Sequence, residues 1–71
     1  MPNYVVNKNP QSGSKDHEVH DVASVYGCLP DVASRLDLGW HSDCQGAVSA
    51  AKAYFTDVDG CYYCARACHT G

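Results

Sequence analysis

Large apolar side chains are what this chain has least of. One methionine (Met1), one tryptophan (Trp40) and one phenylalanine (Phe55) occur in 71 residues, and although 45% of the chain is formally hydrophobic, much of that share is alanine, cysteine and tyrosine. A chain of this size, with so thin an interior, needs a staple: a metal, disulfides or a partner subunit. Basic residues are scarce as well. Lys8, Lys15, Arg35, Lys52 and Arg66 are spread singly and the formal net charge is −3, so no basic stripe follows a phosphate backbone. Nucleic acid is therefore a disfavoured partner, open only through a patch formed on folding. No apolar run reaches transmembrane length, and Met1-Pro2-Asn3 followed by Tyr4-Val5-Val6 has neither the charged nor the apolar segment of a signal peptide. These absences lead to the expectation of one domain over residues 1–71, cytoplasmic, with no membrane partner. In such a reducing setting cysteines favour metal over disulfides.

What the chain does have is five cysteines and four histidines. Five thiols cannot all pair within one chain. Their surroundings suggest which elements carry them. Asn3 to Asn7 is a short β-type run, the stretch from Lys8 to Asp16 with Pro10 and Gly13 is a loop, and Glu18 to Val22 returns as a second strand. Side chains alternate along a strand, so Glu18 and His20 face one way and His17 and Val19 the other. Ala23 to Ser34 shows no period and reads as a loop presenting Cys28. Arg35 to Trp40 alternates, with Leu36, Leu38 and Trp40 on one face, as a half-buried antiparallel strand should. Ser42-Asp43-Cys44-Gln45 fits a capping box with Ser42 as the cap. The helix it opens has Ala47, Val48, Ala51, Tyr54 and Phe55 on one stripe. Asp59-Gly60 reads as a turn, and Cys61 to His69 as a tight knuckle followed by a short helical turn. The expected fold class is α+β: a short antiparallel sheet, one amphipathic helix and a C-terminal Cys-x2-Cys knuckle, stapled by metal.

Gly60-Cys61-x2-Cys64 is the strongest chemical signal, because this spacing lets two thiolates grip one tetrahedral ion. The remaining donors must come from His20, Cys28, Cys44, Cys68 and His69. Two sets compete. In one, His20 and Cys28 complete a Cys3His site with Cys61 and Cys64; in the other, Cys61, Cys64 and Cys68 share a helical face and Cys28 or His20 is the fourth ligand. The first is preferred because it ties distant parts of the chain together. Zn2+ suits mixed thiolate and imidazole donors, although iron fits similar sulfur-rich sets.

The order strand, His, Cys, strand, helix, Gly-Cys-x2-Cys resembles the zinc-binding module of Ada-type DNA repair proteins and related treble-clef-like domains. The fuller pattern is His17-Glu18-Val19-His20, Gly27-Cys28-Leu29-Pro30, Leu38-Gly39, Cys44-x2-Ala47-Val48, Ala50-Ala51-Lys52 and Asp59-Gly60-Cys61-x2-Cys64-x3-Cys68-His69. It is similar to a set of short bacterial proteins of uncharacterised function. The Ada likeness implies four cysteine ligands, a methyl-accepting cysteine and a basic DNA face. Here His20 replaces one cysteine and the basic face is absent, so DNA methyl transfer is not carried over.

Every signal has a plainer reading. A buried cysteine behaves as a small hydrophobe, which is the competing account of Cys28 and the favoured one for Cys44. Cys44 also falls in the first helical turn, where a thiol can be activated. A Cys44–Cys68 disulfide leaves three cysteines for the metal and agrees in number with the first ligand set. A strand histidine such as His20 is as often a core residue as a ligand. Cys64-x3-Cys68-His69 is one residue too long for haem attachment, and the βαβ context of a thioredoxin-like redox motif is missing. His17, Asp21, His41, Asp43 and Asp57 present no nucleophile, base and orienter together. Tyr62, Tyr63 and Trp40 read as shielding for the metal. The expectation is a non-catalytic structural zinc module that contacts a protein partner. Its alternatives are a nucleic-acid-binding regulator and a thiol redox or metal sensor.

Overall fold

The computed structural model describes residues 3–10, 15–23 and 29–69. Four strands and one helix form it: β1 (Asn3–Asn7), β2 (His17–Asp21), β3 (Arg35–Trp40), α1 (Cys44–Ala51) and β4 (Val58–Gly60). The sheet order is β3-β1-β2-β4. β1 pairs antiparallel with both neighbours, while β4 lies parallel to β2. The fold class is the α+β domain expected from the sequence, and the sheet gains one short parallel strand.

Strand alternation creates two faces. Val6 opposes Val19 on the face covered by α1, and Val5 opposes His20 on the other. Beneath α1, Val6 and Val19 meet Ala47 and Ala51, all four with no exposed surface; Leu36, Leu38, Val48 and Phe55 pack around them. Alanines on the inner side of α1 let the helix lie close to the sheet, so this small core is dense. Even so, the largest fully buried side chains are His20, Val6, Val19 and Cys61. Two of those four carry metal-ligating atoms.

Four expectations shift in the structure. Asp43, not Ser42, caps α1, its carboxylate accepting from the Gly46 N–H at 3.2 Å. α1 ends at Ala51, so Tyr54 turns outward and is 63% exposed, while Phe55 still reaches the core. Trp40 leaves the apolar face: Tyr4 pairs with Gly39 and Val5 with Asp37, so Leu38 is an extra residue and the alternation resets beyond it. Gly39 supplies the positive φ of 77° that this bulge uses, and Trp40 emerges 51% exposed. Asp59-Gly60 is not a turn but the buried end of β4, aligned with Glu18 and Val19. That last shift places Cys61 beside β2.

Candidate metal centre

The centre is assembled by hydrogen bonds that continue β4 beyond its last residue. The Cys61 N–H donates to the Val19 carbonyl at 2.9 Å, bringing Cys61 alongside the strand that carries His20. The Ala65 N–H then donates to the Cys61 carbonyl at 3.0 Å, closing a turn that returns Cys64 over the same place. Gly60 is indispensable to this approach. A Cβ there would lie 2.7 Å from the Ala65 carbonyl oxygen and 2.8 Å from Cys68 Cβ.

His20, Cys61 and Cys64 consequently bring one ligand atom each within 4.8 Å of the other two. His20 and Cys61 are each 2% exposed, and neither Cys61 nor Cys64 takes part in the Cys44–Cys68 disulfide. Cys64 Sγ lies 3.5 Å from His20 Nδ1. A tetrahedral zinc with Zn–S of about 2.3 Å and Zn–N of about 2.0–2.1 Å sets its sulfur–nitrogen edge at about 3.5–3.6 Å. A sulfur–imidazole hydrogen bond gives the same single distance. It does not account for the convergence of a second thiol on that pair.

The electrostatics suit a ligand imidazole. Burial, reinforced by the Arg35 guanidinium, pushes the His20 pKa down and favours the neutral ring whose nitrogen can coordinate. Its other nitrogen, Nε2, faces Glu18 Oε1 at 3.8 Å. This is the side on which ligand histidines commonly meet an orienting carboxylate. Burial pushes the Glu18 pKa up; His69 opposes that shift, and Asp59 and Asp16 add to it.

Around the donors lies a brace that sequence reasoning did not foresee. Asp59, only 6% exposed, accepts from the Gly60 N–H through Oδ1 at 2.9 Å and faces His69 Nδ1 through Oδ2 at 3.2 Å. His69 Nδ1 is also 3.0 Å from the Gly60 carbonyl, and a carbonyl only accepts, so this nitrogen carries a proton. His69, in the pool of candidate ligands on sequence, thus fastens the knuckle from outside.

The other candidates are placed as follows. Cys28 lies outside the described residues. Cys44 and Cys68 form a disulfide with Cα atoms 6.2 Å apart, which leaves Cys68 without a thiolate for the second ligand set. His17 stacks on Phe55, with ring centroids 3.8 Å apart, and its Nδ1 is 2.9 Å from the Asn7 carbonyl. His41 Nε2 is 2.8 Å from the Leu38 carbonyl. Tyr62 and Tyr63 do not seal the site. Both are exposed; Tyr62 holds Arg66 over its ring and meets His69 edge-on.

Comparison with protein-family models, curated proteins and solved structures finds no match. What the structure supports of the expected likeness to Ada-type modules is a His/Cys group, His20, Cys61 and Cys64, consistent with a metal site.

Proposed function

We propose that this chain is a small zinc-binding module in which His20, Cys61 and Cys64 hold the ion and Cys28 supplies the fourth donor. The observation that carries this reading is the convergence of the Cys61 and Cys64 sulfurs on the buried His20 imidazole, one ligand atom from each lying within 4.8 Å of the others. Zinc is favoured over iron because a closed set of thiolate and imidazole donors suits its tetrahedral preference. Its role is structural and non-catalytic, presenting a folded surface to a protein partner. Metal binding and folding are then one equilibrium, since the donors are dispersed in the unfolded chain.

Native mass spectrometry of protein purified without added metal tests the proposal. One zinc per chain is expected, together with a mass two hydrogens below that of the fully reduced chain for the single disulfide. Treatment with a strong chelator should remove the ion and collapse the near-ultraviolet circular dichroism. A chain that binds no zinc and keeps its dichroism unchanged would defeat this reading. The disulfide beside the knuckle gives separate support to the thiol redox alternative, in which the metal centre responds to oxidation state.

A further inference from the structure

Cys44 and Cys68 are not equivalent partners. Cys44 is the first residue of α1 and only 7% exposed, whereas Cys68 is partly exposed and lines a cleft of about 310 Å³ between α1 and the 3-10 turn Arg66–Cys68. Lys52, Ser49 and Val48 form the helical wall of that cleft. A reagent entering it meets Cys68, with Lys52 in the same lining. Behind the sulfur, Cys68 Cβ packs against Gly60, the residue immediately before Cys61.

We propose that the cleft is a thiol-exchange site whose target is Cys68, and that opening the disulfide there loosens the metal centre. An incoming thiolate attacks Cys68 Sγ and forms a mixed disulfide. The Cys44–Cys68 bond breaks, and Cys44 departs with the electron pair as a thiolate. A second thiol of the reductant, or a second reductant molecule, then releases reduced Cys68 and is itself oxidised to a disulfide. Which sulfur is attacked depends on access and on the leaving group, and both favour this direction. Cys44 is covered, and the positive end of α1 stabilises the thiolate it becomes. The Asp43 carboxylate next to it already accepts the Gly46 N–H.

Opening the bond matters for the ion because the disulfide anchors the knuckle to α1. In its absence the chain must order that segment as it binds metal, so zinc affinity falls. This second consequence rests on the proposed zinc site, while the choice of Cys68 does not.

Oxidised protein treated with glutathione, quenched in acid and mapped by peptide mass spectrometry tests the exchange. The adduct is expected on Cys68 at roughly tenfold or greater excess over Cys44. Lys52→Glu should slow adduct formation about threefold at low ionic strength, because glutathione thiolate is anionic. An adduct on Cys44, or equal labelling of the two, overturns the proposal. Zinc affinity is measured by chelator competition on oxidised protein and on a Cys44→Ala, Cys68→Ala variant, which opens the bond without adding thiolates. A dissociation constant raised about tenfold or more is expected, whether the zinc-free variant is folded or not, and equal affinities overturn the coupling. If neither protein binds zinc, the zinc reading fails and the adduct map alone decides the exchange site.

Discussion

The two described cysteine pairs of this chain end four residues apart and meet opposite fates. Cys61 and Cys64 are held by one turn of the knuckle, next to an imidazole, and share no disulfide with each other; Cys44 and Cys68 come from a helix start and a 3-10 turn, and are bonded. Proximity to another sulfur does not separate them. What differs is the third group. At the first pair a neutral histidine points its nitrogen at the sulfurs with a carboxylate behind it, an arrangement for a cation. The second pair is absent from the group of His, Cys, Asp and Glu side chains that could hold an ion, and its two sulfurs bond to each other instead. The same small domain thus carries one disulfide staple and, next to it, a His/Cys group with the geometry of a possible second, metallic one.

The sharpest way to break this comparison is to remove a donor from each pair in turn. Cys61→Ser should abolish zinc stoichiometry and unfold the chain at room temperature, since structural zinc contributes apparent binding of about 10–16 kcal/mol in zinc-finger peptides. Cys44→Ala with Cys68→Ala should leave zinc-loaded protein folded but less stable. A closed loop with a sequence separation of 24 is worth about 3–4 kcal/mol in chain entropy. Bound zinc and near-ultraviolet circular dichroism of each variant prepared with zinc present, followed by denaturant unfolding of those that are folded, measure both. If the two substitutions cost the same, the pairs are equivalent and the contrast disappears.

Much of this contrast was legible in the sequence, and the unforeseen parts have physical causes. β1 and the alternation in β2 were readable because valines there mark a buried face, and the knuckle was readable because Gly-Cys-x2-Cys is a local signal. The Cys44–Cys68 bond was accessible only as a hypothesis, joining the two cysteines left over once Cys28, Cys61 and Cys64 were preferred as ligands. The fourth strand was not legible. Asp59-Gly60 has the composition of a turn, and only long-range pairing with Glu18 and Val19 makes it a strand. Trp40 misled for a similar reason, because a single bulged residue at Leu38 reverses the face on which every later side chain falls. The brace of Asp59 and His69 depends on the Gly60 carbonyl, a backbone group with no sequence signature.

Gly60 joins the two pairs, so a substitution there should harm both. Gly60→Ala drives a methyl group against the Ala65 carbonyl and Cys68 Cβ, and overpacking of this kind costs about 1–3 kcal/mol. The expected result is a lower unfolding midpoint together with weaker zinc binding and faster disulfide reduction. A variant that loses only one of the two functions would show that Gly60 serves one pair alone.

The smallest expected effect separates the pairs by pH, because the His/Cys side holds both a histidine whose pKa is lowered and a carboxyl group whose pKa is raised. In the metal-free, oxidised protein, with its fold restored by a stabilising osmolyte such as trimethylamine N-oxide, His20 has a lowered pKa, caused by burial and then Arg35. The unfolded chain therefore binds a proton that the folded one refuses, and stability falls as pH drops from about 6.5 towards the folded pKa. Glu18 acts with the opposite sign. Its pKa is raised, chiefly by burial, so its contribution is fully present below the ordinary carboxylate value and is lost as pH rises through the folded one. The two slopes partly cancel in mildly acidic solution. Glu18→Gln removes one of them and should steepen the acid loss of stability, followed as unfolding midpoint between pH 7 and pH 5. An unchanged or shallower slope would mean that the buried imidazole is not the group setting the acid response, and the metal side would lose the electrostatic signature that distinguishes it from the disulfide side.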